Sequence, residues 1–570
     1  MTRAAPERSW PRPPASPWLL LSGVIALLVL APLAALAVPA WQGSENLWQH
    51  LVTFVLPVAA RDTFVLLAGV GALAAVIGTG TAWLVTAYDF RGRRMLDWAL
   101  LLPLAVPTYI VAYAYLDILH PVGPVQSLLR ALLGYESPRE FRLPDIRSMI
   151  GCIGLLGFVL YPYVYLTARA MFLMQAANLI DVARTLGIGR AAVFLRVALP
   201  LARPAVAVGL SLALMEALND IGASEFLGVR TMTVSIYTTW VTRADLPGAA
   251  QIALAMLLVV LLLVVVERRA RRGRRYANDA QHPRPLQPQR LTGTAGAAAL
   301  AVGLVPVALG FLVPAAYLVD ATVSRVRFAG VSPALVTETI NTVGVSLAAT
   351  ALTLVCGVAV VYAVRVGRGR LPALVARAAA LGYAVPGTVL AIGLLPVVTG
   401  VDALVDRAAG VLLGASWGLF MLGSGAALVY AYLVRFLALA AGSVEAGFSR
   451  ISTSIDDAAR TLGAGAASRL VRLHLPLTRP ALATAALLVF VDCMKELPAT
   501  LLLRPIGFET LATHLYGEAV RGTYEDAAIA ALLIVLAGLG PVIVLARVSR
   551  FGETGAQAFR AAETLLTAKV

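Results

Sequence analysis

Apolar runs about 20 residues long recur along the whole chain, and they constrain its fold more than any other feature. A run of that length is what an α-helix needs to cross the hydrocarbon core of a bilayer. Of the 570 residues, 59% are hydrophobic and 14% are charged, which lies outside the range of ordinary soluble domains. The sequence therefore predicts an all-α, polytopic membrane protein with about twelve transmembrane helices.

The predicted transmembrane helices form two sets of six. They cover residues 17–40, 63–87, 95–118, 147–170, 203–222 and 248–266, then 292–318, 340–363, 371–398, 414–437, 480–502 and 526–546. Basic residues concentrate in alternate loops, which the positive-inside rule assigns to the cytoplasm. The first run is longer than the apolar part of a signal peptide, so we expect it to stay uncleaved. Both termini are expected in the cytoplasm, with the protein in the cell inner (plasma) membrane.

The net charge of +15 is explained by loops rather than by a nucleic-acid partner. Its densest basic cluster, residues 267–290, lies directly between two apolar runs and is typical of a cytoplasmic loop. Binding of RNA or anionic lipid is the alternative interpretation of this cluster. We therefore predict a first half at 1–266, a basic linker at 267–291 and a second half at 292–570. The spans of both halves are expected to contact membrane lipid.

A polar insert of 24 residues occurs twice, once in each half. Residues 181–204 read DVARTLGIGRAAVFLRVALPLARP, and residues 457–480 read DAARTLGAGAASRLVRLHLPLTRP, with 14 identities at an offset of 276. Helical apolar spacing interrupted by glycines predicts a short helix–turn–helix on the cytoplasmic face, with Pro200 and Pro204 marking the return into the membrane. A single copy could rest on lipid as a connector. Two matching copies indicate a two-fold symmetric partner.

The insert resembles the EAA loop of ABC-importer permeases, in which an acidic residue and alanines precede a glycine and a later Leu-Pro. In that family the loop is the coupling helix that seats in a groove of the ATPase subunit. Asp stands where the family usually has Glu, and Val182 replaces the first alanine of copy one. The coupling residues that the resemblance implies are Asp181, Ala183, Gly187, Leu199 and Pro200 in the first copy and Asp457, Ala458, Ala459, Gly463, Leu475 and Pro476 in the second.

Two such loops on one chain imply that it engages both subunits of an ABC ATPase dimer. The chain has no Walker A motif, since the dipeptide Gly-Lys does not occur, so ATP hydrolysis is expected on a separate subunit and the chain itself is not predicted to be an enzyme. The resemblance also implies a solute-binding protein at the outer face. Neither the cysteines nor the histidines have the spacing of a metal site, and no cofactor is expected.

Ionisable residues inside two predicted spans are candidates for a translocation path, because such residues are costly in a bilayer. The fifth span holds Glu216, Asn219 and Asp220, and the eleventh holds Asp492, Lys495 and Glu496 at an offset of 276. Glu216 and Asp492 each lie 12 residues past the proline that opens their span, roughly 18 Å into a core of about 30 Å. The alternative is structural: Lys495 neutralises Asp492, and Asn219 or Asp220 caps a helix break near Gly222.

The fused two-half length and the stretch MKELPATLLLRP are similar to the ferric-iron branch of binding-protein-dependent permeases. An excess of carboxylates also suits a cationic or metal-bearing solute, so ferric iron is the expected cargo. Permeases for thiamine, phosphonates or sugar phosphates are open alternatives. So is a proton-coupled secondary transporter with Glu216, Asp220, Asp492 and Glu496 as proton carriers. Tyr161, Tyr163 and Tyr165 are either solute contacts or interfacial packing.

Overall fold

The computed structural model describes residues 17–44, 47–174, 185–271, 288–367 and 369–544. This part of the chain contains ten helices that are long and apolar enough to cross a membrane. It also contains two helix pairs that are bent at a short break. Counting each bent pair as one span gives twelve spans, so the predicted all-α polytopic fold is confirmed.

Helices are numbered so that a π or 3₁₀ turn continuing a membrane helix belongs to it. The described part of the first half contains α1 (Pro17–Gln42), α2 (Trp48–Ala87), α3 (Arg93–Ala105), α4 (Thr108–Ile118), α5 (Pro124–Leu133), α6 (Met149–Met174), α7 (Arg190–Asn219), α8 (Gly222–Phe226), α9 (Met232–Tyr237) and α10 (Leu246–Arg271). A two-residue strand, β1 (Tyr88–Asp89), pairs in parallel with β2 (Gln289–Arg290) at the end of the linker.

The second half repeats this order. Its described helices are α11 (Gly293–Ala329), α12 (Pro333–Val366), α13 (Leu371–Ala384), α14 (Gly387–Leu413), α15 (Ala426–Phe448), α16 (Thr453–Thr461), α17 (Ala466–Leu477), α18 (Arg479–Met494), α19 (Pro498–Leu503), α20 (Leu511–Arg521) and α21 (Tyr524–Val544).

Several predicted spans are broken rather than continuous. The third, 95–118, breaks before Thr108, where α3 and α4 meet at 92°. The residue before a proline is pushed out of the helical region, and Val106 accordingly adopts an extended conformation ahead of Pro107. The eleventh, 480–502, ends as a helix at Met494 and resumes as α19. Hydropathy alone does not reveal the break before Thr108, because the residues on both sides of it are apolar.

Other predicted boundaries were wrong by more than a few residues. The fifth span begins at Arg190 rather than at 203, so Pro200 and Pro204 lie inside helical structure in α7 and do not mark a return into the membrane. A π turn just before Pro200 accommodates the missing amide hydrogen. The predicted ninth span, 371–398, covers α13 and the first part of α14, and the tenth is shifted toward the C-terminus, to α15.

The two halves use the same internal packing. In the first half α2 packs on α6 and α7, and in the second half α12 packs on α15 and α18. Gly78 of α2 lies against Val164 of α6, where an added Cβ would lie 2.7 Å from the valine Cβ. The corresponding Gly357 of α12 lies against Ala440 of α15. Small residues of this kind allow membrane helices to approach closely.

The first helix of each half packs on the other half. The α1 helix lies against α12, α13 and α14, and the Tyr430 hydroxyl donates to the Leu28 carbonyl at 2.7 Å. In return, α11 lies against the first half, where the Tyr317 hydroxyl donates to Asp117 Oδ2 at 2.8 Å. The halves are therefore interlocked by exchanged helices rather than merely placed side by side.

The helix ends that carry the repeated insert gather at one end of the bundle, here named the loop end and defined by Gly187 and Gly463. At this end Trp18 of α1 packs on Tyr362 of α12, and Arg365 of α12 pairs with Asp456 of α16. The strand β1, directly after α2, pairs there with β2, which precedes α11. This grouping agrees with the predicted alternation of the spans.

At the opposite end, His514 of α20 forms an ion pair with Glu338 of α12, with 3.1 Å between Nδ1 and Oε1. The hydrogen bond to Glu338 raises the pKa of His514 above its usual value, although burial opposes it. A raised folded-state pKa contributes stability that is fully present below about pH 6.5 and is lost as the pH rises through the folded-state pKa. This pair is absent from the first half, where Ala59 and Ser235 occupy the corresponding positions.

We therefore expect His514→Gln to lower the apparent melting temperature in detergent more at pH 5.5 than at pH 9. The measurement compares wild type with the variant across that pH range. An equal difference between the two proteins at both pH values would contradict this assignment.

Candidate functional site

A cavity of about 140 Å³ lies between the two halves, and all six residues predicted inside the fifth and eleventh spans line it. Its walls come from the break between α3 and α4, from α6 and α15, and from the ends of α7 and α18. The cavity-lining residues predicted from the sequence are Glu216, Asn219, Asp220, Asp492, Lys495 and Glu496. The two Ala-Val-Pro motifs, at 105–107 and 384–386, also line it, through residues 106–107 and 384–386.

Two of these carboxylates cap short helices inside the membrane. Asp220 Oδ1 accepts from the Ser224 backbone N–H at 2.8 Å, and Thr108 donates to its other oxygen. Glu496 accepts from the backbone N–H groups of Ala499 and Thr500, both at 3.0 Å. These carboxylates accept hydrogen bonds from free amides at the starts of α8 and α19. A hydrocarbon core contains no water that could do so instead. The predicted capping of a break near Gly222 by Asp220 is therefore observed.

Asp492 is also engaged, through an ion pair of 2.7 Å between its Oδ1 and Lys495 Nζ. Both side chains are partly exposed, at 27% and 30%, so they reach the cavity while remaining paired. The predicted structural alternative, in which Lys495 neutralises Asp492, therefore matches the contact that is observed.

Glu216 differs from the other three carboxylates. In the part of the chain that the structure describes, no hydrogen bond or ion pair reaches its side chain, although it lines the cavity and is half-buried. Arg435 and Lys495 act on it electrostatically from farther away. Glu216 is thus the carboxylate of the cavity with its oxygens free for another ligand.

The sixth polar position, Asn219, connects the two halves. Its Oδ1 accepts from the Gly387 backbone N–H at 2.7 Å and from Arg435 NH1 at 3.0 Å, and both donors belong to the second half. Arg435 NH1 also lies 3.9 Å from Glu496 Oε1.

The structure adds cavity residues that the sequence reasoning missed. Arg435 and Tyr383 line the cavity, and so does Tyr163. Of the three tyrosines left open, Tyr163 faces the cavity, whereas Tyr161 and Tyr165 are buried in the helix packing and Tyr165 donates to Asp97. Arg435 has no counterpart in the first half, where Val159 occupies the corresponding position, so the repeat could not reveal it. An arginine within the apolar run of α15 was the available signal.

The two copies of the insert share a glycine turn where the structure describes them, although the helix that follows is continuous in α7 and bent between α17 and α18. Gly187 and Gly463 have φ of +75° and +80°, a left-handed conformation that ends a helix and that glycine adopts without strain. An exposed turn follows, and then α7 or α17 begins. Asp181 and Ala183 lie outside the described residues, while Leu199 and Pro200 lie half-buried in the helix that follows the turn.

The second copy is described in full. Asp457 and Ala458 are exposed on α16, Ala459 is half-buried, and Leu475 and Pro476 lie at the end of α17. The predicted helix–turn–helix is observed here, with a bend of 78° between α17 and α18 leading into the membrane.

A residue beside the motif anchors this copy. Asp456 is buried, and its carboxylate lies 2.8 Å from Arg365 NH2, 3.1 Å from His474 Nε2 and 3.7 Å from Arg469 NH1. Arg365 also donates to the carbonyl of Ile451 at 2.7 Å. Its neighbour Asp457 is 66% exposed and pairs with Arg460 within the same helix. Sequence reasoning chose Asp457 from the family pattern and missed Asp456, because the repeat has Ile180 at that position.

Paired membrane halves around a polar cavity, each with a matching exposed loop at one end, define a membrane permease. Residues 69–276 match the family described as binding-protein-dependent transport system inner membrane component. The chain belongs to this family and is an ABC permease, which sets aside the proton-coupled alternative.

Relatives cover either the whole chain or one half. The Fe(3+)-transport system permease protein FbpB 2 of Haemophilus influenzae is 24% identical over 495 residues, covering 85% of this chain and 88% of that protein. The molybdenum transport system permease protein ModB of Escherichia coli is 32% identical over 31% of this chain and 78% of its own length. The sulfate transport system permease protein CysT of Salmonella typhimurium is 27% identical, over 41% and 83% respectively.

The Asp456 contacts yield a prediction about stability. Asp456→Ala leaves buried cations without their partner and should cost about 3 kcal/mol or more. Asp457→Ala removes an exposed ion pair and should cost less than about 1 kcal/mol. Thermal unfolding of the two variants in detergent tests this difference, and equal melting temperatures would show that Asp456 is not an anchor.

The left-handed glycines yield a second prediction. Gly463→Val places a β-branched residue at φ of +80°, where strain rather than a clash disfavours it, since an added Cβ would meet no atom within 4 Å. Gly463→Asn is the matched control, because asparagine tolerates this conformation. Valine at both Gly187 and Gly463 should abolish uptake while the protein still inserts, and the double asparagine variant should retain most uptake. Normal uptake by the double valine variant would contradict a coupling role for the turn.

Proposed function

We propose that this permease translocates ferric iron delivered by a solute-binding protein. The observation that carries the proposal is the cavity between the halves, where four carboxylates face two cations. Among the residues that the structure describes, none forms a hydrogen bond or ion pair with the Glu216 carboxylate. Carboxylate oxygens are hard ligands of the kind that favour hard metal cations. The relative that spans most of this chain is named for Fe(3+) transport, which supports the same cargo.

The charge of the cavity argues against an anionic solute. The relatives named for molybdenum and sulfate transport raise that alternative, and sulfate is an anion. With Lys495 already paired to Asp492, and Asp220 and Glu496 each capping a helix, an anion in the cavity would meet an excess of negative charge. Coulomb repulsion of that kind is strong where water is scarce.

ATP hydrolysis is proposed to take place on a separate ATPase dimer that contacts the two inserts. The proposed contact residues are those of the two matching turns, with Asp457, Ala458 and Gly463 exposed in the second copy and Gly187 in the first. The loop end then faces the cytoplasm with both termini, and the solute-binding protein docks at the opposite end. Residues 1–266 and 292–570 act as the two moving halves, joined by the basic linker at 267–291.

The test is uptake of radioactive ferric iron by cells that lack their own iron permease, complemented with this chain and its cognate ATPase and binding protein. Sulfate, molybdate and thiamine are run in parallel. Iron uptake restored by the wild type supports the proposal. Flat iron uptake together with transport of another solute would overturn the cargo while leaving the permease class intact.

Glu216→Gln should lower iron uptake at least tenfold. The variant removes the unpaired charge from a site of low dielectric, where one charge contributes more than about 1.4 kcal/mol. Glu216→Asp is the conservative control and should retain measurable uptake. Full activity of Glu216→Gln, measured at equal expression in the membrane, would exclude a direct role for this carboxylate.

A further inference from the structure

We propose that Arg435, one of the two cations of the cavity, is positioned by Asn219 across the interface of the halves, and that this pairing keeps the cavity shut between transport cycles. The proposal concerns the permease itself and does not depend on which solute it carries. Arg435 then determines when the acidic cavity becomes accessible to a solute.

The contacts of Arg435 place it at the seam between the halves. Its side chain is 12% exposed, and its NH1 donates to Asn219 Oδ1 at 3.0 Å. Asn219 ends α7 of the first half, while Arg435 lies within α15 of the second. Any separation of the halves at the cavity must stretch this bond, together with the 2.7 Å bond from the Gly387 N–H to the same oxygen.

Gly387 has no side chain, which allows Arg435 and Glu496 to approach its backbone closely. A Cβ added there would lie 2.6 Å from Arg435 NH1 and 2.9 Å from Glu496 Oε1. Thr108, at the corresponding position of the first half, carries a side chain and bonds to Asp220 within its own half. Glycine at 387 is therefore not required by the repeated fold, and the close approach of Arg435, Glu496 and Pro498 is what requires it.

The latch formed by Asn219, Gly387 and Arg435 occurs on one side of the pseudo-symmetric cavity. The positions that correspond to Asn219 and Arg435 are Lys495 and Val159. Lys495 pairs with Asp492 inside its own half, and its backbone carbonyl accepts a longer bond of 3.3 Å from Tyr109 across the interface. The duplicated fold thus provides two equivalent sites, and the side-chain latch is present at one of them.

The charges of the cavity explain why the latch contains an arginine. Lys495 is paired with Asp492, whereas Arg435 lies 3.9 Å from Glu496 Oε1 and acts electrostatically on Glu216 together with Lys495. A guanidinium stays charged under all physiological conditions and can serve several acceptors at once. It therefore balances the acidic cavity while no solute is present, and it must move away from Asn219 for the path to open.

Cysteine labelling of the purified full-length chain in lipid nanodiscs tests the latch. Met215 lines the cavity, so Met215→Cys, in a background with Cys152, Cys356 and Cys493 replaced by alanine, supplies the reactive thiol. The probe is a small cationic methanethiosulfonate reagent, and the measured quantity is the rate of labelling. Asn219→Leu, Gly387→Ala and Arg435→Gln are compared with Asn219→Asp as the matched control.

Asn219→Leu removes the acceptor of both cross-half bonds and should raise the labelling rate about tenfold, the effect expected for the loss of two ordinary hydrogen bonds. Gly387→Ala displaces Arg435 by a different route and should act in the same direction, as should Arg435→Gln. Asn219→Asp keeps the acceptor, forms a charge-assisted bond with Arg435 and should label at or below the background rate.

Background labelling rates in both Asn219→Leu and Gly387→Ala would overturn the proposal. So would equal acceleration by Asn219→Asp and Asn219→Leu, because the effect would then come from any change at that position. If Asn219→Leu does not yield folded protein, Gly387→Ala and Arg435→Gln decide the outcome, since each reaches the latch without altering α7.

Discussion

The free backbone groups of helices that break inside the membrane impose the constraint on which the rest of this structure depends. A hydrocarbon core supplies no water to satisfy them, so each break must be capped by protein. Asp220 and Glu496 do this in equivalent positions, by accepting from the first amides of α8 and α19. The breaks create the polar cavity, and the carboxylates needed to stabilise them also make it acidic. Architecture and electrostatics therefore have the same origin here.

The acidic residues of the cavity therefore have two different roles. Carboxylates that cap helix ends are held by several donors and are poorly suited to receive and release a solute. Glu216 lies on the same cavity without such donors among the described residues, and Arg435 and Lys495 balance its charge from farther away. A membrane site can thus combine fixed negative charges, which define the cavity, with one available charge.

The repetition in the sequence explains what could be predicted and what could not. The twelve spans, the exposed turns at Gly187 and Gly463 and the six cavity residues all recur in both halves or follow from hydropathy, and these features were found. Arg435, Gly387 and Asp456 have Val159, Thr108 and Ile180 at the matching positions, so comparison of the halves hides them. The break before Thr108 escaped for a different reason. Apolar residues continue through it, and a hydropathy pattern does not record where a backbone turns.

The exchange of α1 and α11 between the halves has a consequence for how the chain is made. During synthesis the first half is complete in sequence long before α11 exists, yet the surface of α3, α4 and α6 that α11 covers must wait for it. Carrying both halves on one polypeptide guarantees that the missing helix arrives on the same ribosome, next to the surface that it covers. A gene fusion thereby turns an encounter between two proteins into the closing of a single chain.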